Sequence, residues 1–180
     1  MIDEKEVFEF LNKRKNLIDA VVISGGEPTL QIDLKDFIIK IKKMGFCVKL
    51  DTNGSNPHIV EDLLNCNLLD YIAMDIKTSL QNYDKVCGIK VNIENIKKTI
   101  EIIMNSNIDY EFRTTIAPEI QQEDIDDILQ IIKNSKNYYL QKCNIPNGYP
   151  LIISNNKSKA EKFLEKSKKY TINTALRGFE

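Results

Sequence analysis

No two cysteines in this 180-residue chain are spaced as a metal knuckle requires. The four, Cys47, Cys66, Cys87 and Cys143, are scattered along the chain, so zinc-ribbon and related sites are excluded. Nothing points to secretion, and each cysteine reads as a small buried or half-buried apolar residue rather than half of a disulfide. An excess of charge of either sign is also missing. With 25 basic and 26 acidic side chains the formal net charge is −1, which removes the electrostatic case for a nucleic-acid partner. No apolar run approaches the roughly 20 residues of a membrane span. The N-terminal MIDEKEVFEF is acidic where a secretion signal is basic and then apolar. A cytoplasmic protein with no membrane partner is expected. His58, the only histidine, follows Pro57 at a helix start and reads as a surface residue.

What is present is ordinary for a soluble domain: 42% hydrophobic and 28% charged residues. The length predicts one domain spanning 1–180, large enough to bury a core. Short β-branched runs alternate with helical periodicity. Asp3 begins a helix striped by Val7, Phe10 and Leu11. Strands are predicted at Ala20–Ser24, Phe46–Thr52, Tyr71–Lys77, Tyr110–Thr115 and Tyr138–Cys143, with a last edge strand at Tyr170–Thr174. Between them, Asp33, Asn56 with Pro57, and Asn92 start helices, and Gly45 and Gly88 end two. A short helix is predicted over Leu80–Val86, another around Ile125–Ile132, and a lysine-rich surface helix over Lys157–Lys169. A loop holds Pro146, Gly148 and Pro150. This is βα repetition, which predicts a parallel sheet.

The strand faces carry more information. Parallel strands covered on both sides are apolar throughout, but these alternate. Val48 and Leu50 oppose Lys49 and Asp51; Ile72, Met74 and Ile76 oppose Asp75 and Lys77; Tyr110 and Phe112 oppose Glu111, Arg113 and Thr115. One face packs on helices and the other is charged. A sheet curled into part of a barrel, with a wet lumen and helices outside, satisfies this pattern, and its polar strand ends meet at the C-terminal mouth. The stretch DAVVISGGEPTL, Asp19–Leu30, supplies the first such end. Gly25 and Gly26 permit a sharp turn and a close backbone approach, Glu27 adds a carboxylate, and Pro28 fixes the exit. On these residues alone an ordinary strand-to-helix loop reads equally well.

Four motifs follow one another at successive strand ends: GGEP at Gly25–Pro28, LDTNG at Leu50–Gly54, MDIK at Met74–Lys77 and FRTT at Phe112–Thr115. Together they resemble the radical S-adenosylmethionine proteins, in the branch of glycyl-radical-enzyme activating enzymes, which includes the activators of anaerobic ribonucleotide reductase and of pyruvate formate-lyase. The resemblance implies a partial (β/α) barrel. It implies that backbone carbonyls of Gly25, Gly26 and Glu27 accept from the cofactor's ammonium. Lys77 or Arg113 would meet its carboxylate. Asp51 and Asp75 would bind ribose, pair with Lys77, or, with Thr52, hold a monovalent cation. Thr52, Asn53 and Gly54 would form the loop beside the pocket, although Asn-Gly is also a plain turn pair.

One feature departs from that pattern. The family holds a four-iron–four-sulfur cluster on a CxxxCxxC loop ahead of the GGEP strand, and no such spacing occurs among these residues. The expectation is that the chain starts beyond that loop, with about one βα unit, roughly 30 residues, missing. The resemblance implies a glycyl-radical enzyme as partner, with this chain inactive as written. A strand at Ala20–Ser24 left without a neighbour would be an unblunted edge open to self-association. The charge cluster is expected to rest partly on Lys77, whose loss would destabilise a dry lumen. Two other readings stand: a non-catalytic binding module, and a Schiff-base aldolase-like barrel using Lys77 with Asp75 or Asp51 as proton shuttle.

Overall fold

In the computed structural model, which describes residues 3–143 and 156–179, six parallel strands form one sheet in sequential order. They are β1 (Ala20–Ile23), β2 (Cys47–Thr52), β3 (Tyr71–Asp75), β4 (Asp109–Ile116), β5 (Asn137–Lys142) and β6 (Asn173–Arg177). The helices are α1 (Glu4–Lys13), α2 (Leu34–Lys43), α3 (Pro57–Asn65), α4 (Tyr83–Cys87), α5 (Ile93–Met104), α6 (Gln122–Ile131) and α7 (Asn156–Ser167). Single 3-10 turns occupy Pro28–Leu30 and Leu80–Asn82. The predicted loop holding Pro146, Gly148 and Pro150 lies outside the described residues.

Sequential order with helices on one face is the arrangement of a barrel arc. A doubly wound sheet would reverse its strand order and carry helices on both faces. The outward strand residues Val48, Leu50, Ile72, Met74, Ile76, Tyr110, Phe112, Tyr138 and Leu140 join helix residues Ile38, Ile41, Leu63, Ile100, Ile103, Ile128 and Phe163 in one buried cluster. The opposite face is concave. Lys49 on β2 and Arg177 on β6 both reach Glu111 on β4, each across an intervening strand, although strands two apart sit roughly 9.5 Å from each other in the sheet.

Local signals set most boundaries. Asp3 caps α1 by accepting from the Lys5 amide at 2.8 Å, and Asn92 caps α5 through Glu94 N at 3.2 Å. Pro57 occupies the first turn of α3, and Gly88 closes α4 in the left-handed conformation. Two expectations need correction. The α1 stripe uses Phe8 rather than Phe10: Phe8 packs on Phe37 at 5.4 Å, while Phe10 is half exposed beneath the Arg14 guanidinium. The last strand runs over Asn173–Arg177, not Tyr170–Thr174. The Tyr170 carbonyl accepts from Asn134 N and the Ile172 amide bonds Ser135 O, so residues 170–172 turn the chain and ladder pairing with β5 begins only at Asn173.

At the end of β2, Gly54 is in the left-handed region at φ +77°, and a Cβ placed there would lie 2.2 Å from Met74 Cε. Met74 is fully buried. Gly54→Ala therefore meets both backbone strain and a packed thioether, and should lower stability by about 1–3 kcal/mol in urea melts. Adding Met74→Ala should relieve the clash but leave the backbone term. A Gly54→Ala midpoint equal to the parent's would show that the loop adjusts freely.

Candidate functional site

The C-terminal ends of β1, β2, β3 and β4 surround a pocket of about 160 Å³ lined by Ser24, Gly25, Gly26, Asp51, Thr52, Asn53, Asp75, Lys77 and Arg113. Small-molecule sites run to roughly 300–1,000 Å³, so this pocket has room for one end of a small ligand rather than all of it. The structure thus brings together eight of the nine residues picked from sequence and adds Ser24. Gly25 and Gly26 have φ of +100° and +56°, with nothing within 4 Å of a built Cβ. Their need for glycine is conformational, and the space above them is open for a ligand.

Glu27 is the exception. It is 8% exposed and its carboxylate faces inward. Oε1 accepts from Thr29 N, Thr29 Oγ1 and Thr52 Oγ1 at 3.1, 2.6 and 2.8 Å, and Oε2 accepts from Asn53 N. The side chain binds the β1 turn to the β2 turn. Thr52 Oγ1 then accepts from Gly54 N, and Asn53 Oδ1 from Ser55 N, so both pocket loops are tied.

Arg113 organises the charges. Its Nε donates to Asp75 Oδ1 at 2.8 Å and its Nη1 lies 3.2 Å from Asp51 Oδ2. Lys77 Nζ is 3.6 Å from Asp75 Oδ2. Asp51 Oδ1 is buried with no hydrogen-bond partner among the described residues; the Lys49 ammonium stands 3.7 Å away. Deeper in the lumen, Glu111 is 2% exposed and takes a two-pronged contact from Arg177 at 2.9 and 2.8 Å, the Tyr71 hydroxyl at 3.0 Å and Lys49 Nζ at 3.4 Å. Burial opposes its charge, but Arg177, Lys49 and Tyr71 outweigh burial and hold the Glu111 carboxyl below the usual range. Arg177 also stacks on the Tyr139 ring at 3.5 Å. Among the described residues the lumen sets Lys49, Lys77, Arg113 and Arg177 against Asp51, Asp75 and Glu111, leaving one positive charge in excess.

Sequence reasoning missed two features. Glu111 fell on the lumen face by strand alternation, but Arg177 lay beyond the misplaced last strand, so their pairing was invisible. Asp124, in the first turn of α6, was not singled out. Its Oδ1 accepts from Thr78 Oγ1, Ser79 Oγ and Asn82 Nδ2, and its Oδ2 from Gln121 N. Burial works against this charge, but the bonds from Ser79, Gln121, Asn82 and Thr78 prevail and hold its carboxyl at about 2. A Gln-x-x-Asp helix start was the available signal.

No three cysteine, histidine or acidic side chains among the described residues are grouped to hold a metal ion. The cysteines stand apart, on β2, after α3, in α4 and after β5. Cys47, at the start of its strand, and Cys66, just past a helix end, are exposed rather than buried, while Cys87 and Cys143 are half-buried. This donor set does not fit an iron–sulfur cluster. It does fit the amino-acid end of a zwitterionic cofactor: the Lys77 ammonium is partly exposed at the mouth and the glycine turn is open.

The side chain of Arg113 is 12% exposed and that of Lys77 is 43% exposed, so Arg113 rather than Lys77 holds the network together. Arg113→Met leaves two carboxylates facing each other and should cost about 3–5 kcal/mol in denaturant melts. Lys77→Met should cost under about 1 kcal/mol, as for a solvent-screened pair. Equal losses for the two variants would contradict this ranking.

The description "Radical SAM superfamily" matches residues 2–132. The chain is 39% identical over 140 residues to a Methanocaldococcus jannaschii protein named as a glycyl-radical enzyme activating enzyme, MJ1227, covering 73% of this chain and 57% of that relative. It therefore spans little more than half of that protein's length. Two solved structures share the fold at low identity. A domain of pyruvate-formate lyase-activating enzyme from Bacteroides vulgatus superposes with TM-score 0.65 at 14% identity, covering 89% of this chain and 100% of that one. Streptococcus suis SuiB bound to S-adenosylmethionine does so with TM-score 0.67 at 14% identity, covering 98% and 44%. The match over most of the chain, on a six-stranded barrel arc whose strand ends carry the four motifs, means that this protein belongs to the radical SAM superfamily.

Proposed function

We propose that this chain is the S-adenosylmethionine-binding barrel portion of a glycyl-radical-enzyme activating enzyme. The observation that carries the reading is the pocket itself: an open glycine turn beside the half-exposed Lys77 ammonium, within a lumen carrying one surplus positive charge. The carbonyls of Gly25, Gly26 and Glu27 accept from the cofactor's ammonium. Lys77, with Arg113 behind it, meets the carboxylate. Asp51 and Asp75 take a ribose hydroxyl, or with Thr52 a monovalent cation. Glu27 contributes through its backbone, because its carboxylate holds Thr29, Thr52 and Asn53. When bound, S-adenosylmethionine would present its sulfonium at this mouth, and the electron needed to cleave it would have to come from a one-electron reductant outside these residues. The described residues do not hold an iron–sulfur cluster. The partner is a glycyl-radical enzyme, such as anaerobic ribonucleotide reductase.

The test is amide chemical-shift mapping with S-adenosylmethionine. Shifts should concentrate at Ser24–Glu27, Asp51–Asn53 and Lys77. Without a metal chelate the affinity should be weak, with a dissociation constant of roughly 0.1–1 mM, and Lys77→Ala should weaken it further. No shift in these segments at millimolar ligand would defeat the reading. The cysteine spacing favours one second reading, a binding module without redox chemistry, and retained affinity with no cluster on anaerobic reconstitution supports it. Borohydride trapping of a carbonyl substrate on Lys77 would instead favour Schiff-base chemistry.

A second part of the proposal concerns association. β1 pairs only with β2 among the described strands, and it carries no lysine, proline or bulge to blunt its open side. Val22 is 55% exposed. Two copies would satisfy the free edge by pairing there. Val22→Lys should shift the protein toward monomer in sedimentation velocity, and a parent chain that is monodisperse and monomeric at high concentration refutes the pairing.

A further inference from the structure

Lys77 is the pocket's most exposed cation, and among the described residues its ammonium has one ion-pair partner, Asp75 at 3.6 Å. A side chain held so lightly takes its position from its backbone. Up to Ile76 that backbone is fixed by the sheet. Ile76 N donates to Arg113 O at 2.8 Å, and Ile76 O accepts from Thr114 Oγ1 at 2.8 Å. Lys77 N donates to the hydroxyl of Tyr83 at 3.1 Å, a side chain 2% exposed at the start of α4. Beyond Lys77 the chain leaves the sheet and enters a buried segment, with Thr78 and Ser79 1% and 2% exposed.

Three donors from five consecutive residues, Thr78, Ser79 and Asn82, converge on one oxygen, Asp124 Oδ1. Helix capping does not account for this. The cap of α6 is served by Asp124 Oδ2, which accepts from Gln121 N at 2.9 Å. Oδ1 is devoted wholly to a loop more than 40 residues earlier in the chain. An ionised carboxylate accepts on both oxygens at once. An asparagine offers one acceptor oxygen and an NH2 group that can only donate, so it can accept from the loop or from the cap but not from both.

We infer that Asp124 is a positioning residue for Lys77: by gathering the Thr78–Asn82 segment onto one carboxylate oxygen it fixes the Lys77 ammonium at the pocket mouth, and so sets the affinity for the carboxylate of an amino-acid-like ligand. The inference rests on the proposal that this pocket takes the amino-acid end of S-adenosylmethionine, and its experiment has one arm that does not depend on it.

The first arm is a double-mutant cycle with S-adenosylmethionine as probe. Asp124→Asn should weaken binding by about threefold to tenfold when Lys77 is present, and by less than about twofold in a Lys77→Ala background. A purely structural role would give the same factor in both backgrounds and overturn the inference, as would unchanged binding in Asp124→Asn. The second arm is the rate of Lys77 acetylation by acetic anhydride, read by mass spectrometry against Lys35 and Lys168 as internal references. Asp124→Asn should change the Lys77 rate at least twofold and leave the reference rates alone. If the parent binds no S-adenosylmethionine, the ligand reading fails by itself, and an unchanged Lys77 rate then overturns the positioning role independently. Should Asp124→Asn not fold, Asn82→Ala removes one loop donor and keeps the α6 cap. It should shift the Lys77 rate in the same direction by a smaller factor, and no shift overturns the inference.

Discussion

Arg113 lies between two carboxylates that would repel each other without it. Asp51 and Asp75 occupy adjacent strands on the concave face, and the guanidinium, reaching from a third strand, bonds both. An arginine suits this place because its planar fork addresses two acceptors in fixed directions, which an ammonium cannot do. With Arg113 in place, three strand ends are tied together, Asp75 level with Arg113 in the ladder and Asp51 level with Ala73. Asp75 then keeps an oxygen for Lys77, and Asp51 keeps one without a hydrogen-bond donor. The lower lumen repeats the logic with the sign reversed: one buried carboxylate, Glu111, gathers Arg177, Lys49 and Tyr71. Buried charges are tolerated when each is paired and hydrogen-bonded. This sheet meets that condition everywhere except at the pocket.

The GGEP motif divides its work between two kinds of residue. The glycines adopt backbone conformations that other residues resist and leave open space above them. The glutamate faces the other way and fastens the neighbouring loop. A carboxylate beside a pocket invites assignment to the ligand, but Glu27 has its acceptors occupied by Thr29, Thr52 and Asn53. It acts on the pocket by holding the loops that form it.

Much of this was legible in the sequence because strand alternation is a local property. Lys49 with Asp51, and Glu111 with Arg113, declared a charged face before any packing was known, and Pro57, Asn92 and Gly88 marked helix ends through their own backbone chemistry. What escaped depended on distant partners. Tyr170, Thr171 and Ile172 have strand-forming side chains, yet the segment turns because Ser135 and Asn134 bond its backbone. With that strand misplaced, Arg177 could not be set on the lumen face. Phe8 and Phe10 are both within reach of a helical stripe, and only the position of Phe37 on α2 selects between them. The loop donors to Asp124 Oδ1 lie more than 40 residues away, and the neighbouring Gln121 announces only the α6 cap.

The sequential strand order has a consequence for how the chain acquires its shape. Paired residues on neighbouring strands are separated by 27, 22, 38, 26 and 36 positions from β1–β2 to β5–β6. Loop-closure entropy rises by only about 0.6 kcal/mol per doubling of length, so no single closure is much harder than the others. Each strand after the first pairs with one already synthesised, and none waits for a later segment to be inserted beside it. During synthesis the sheet can therefore grow in one direction at the pace of the ribosome, with its unfinished edge always at the newest strand. The hazard of a slow parallel sheet, long exposure of unpaired edges, is thereby confined to one strand at a time on the growing side.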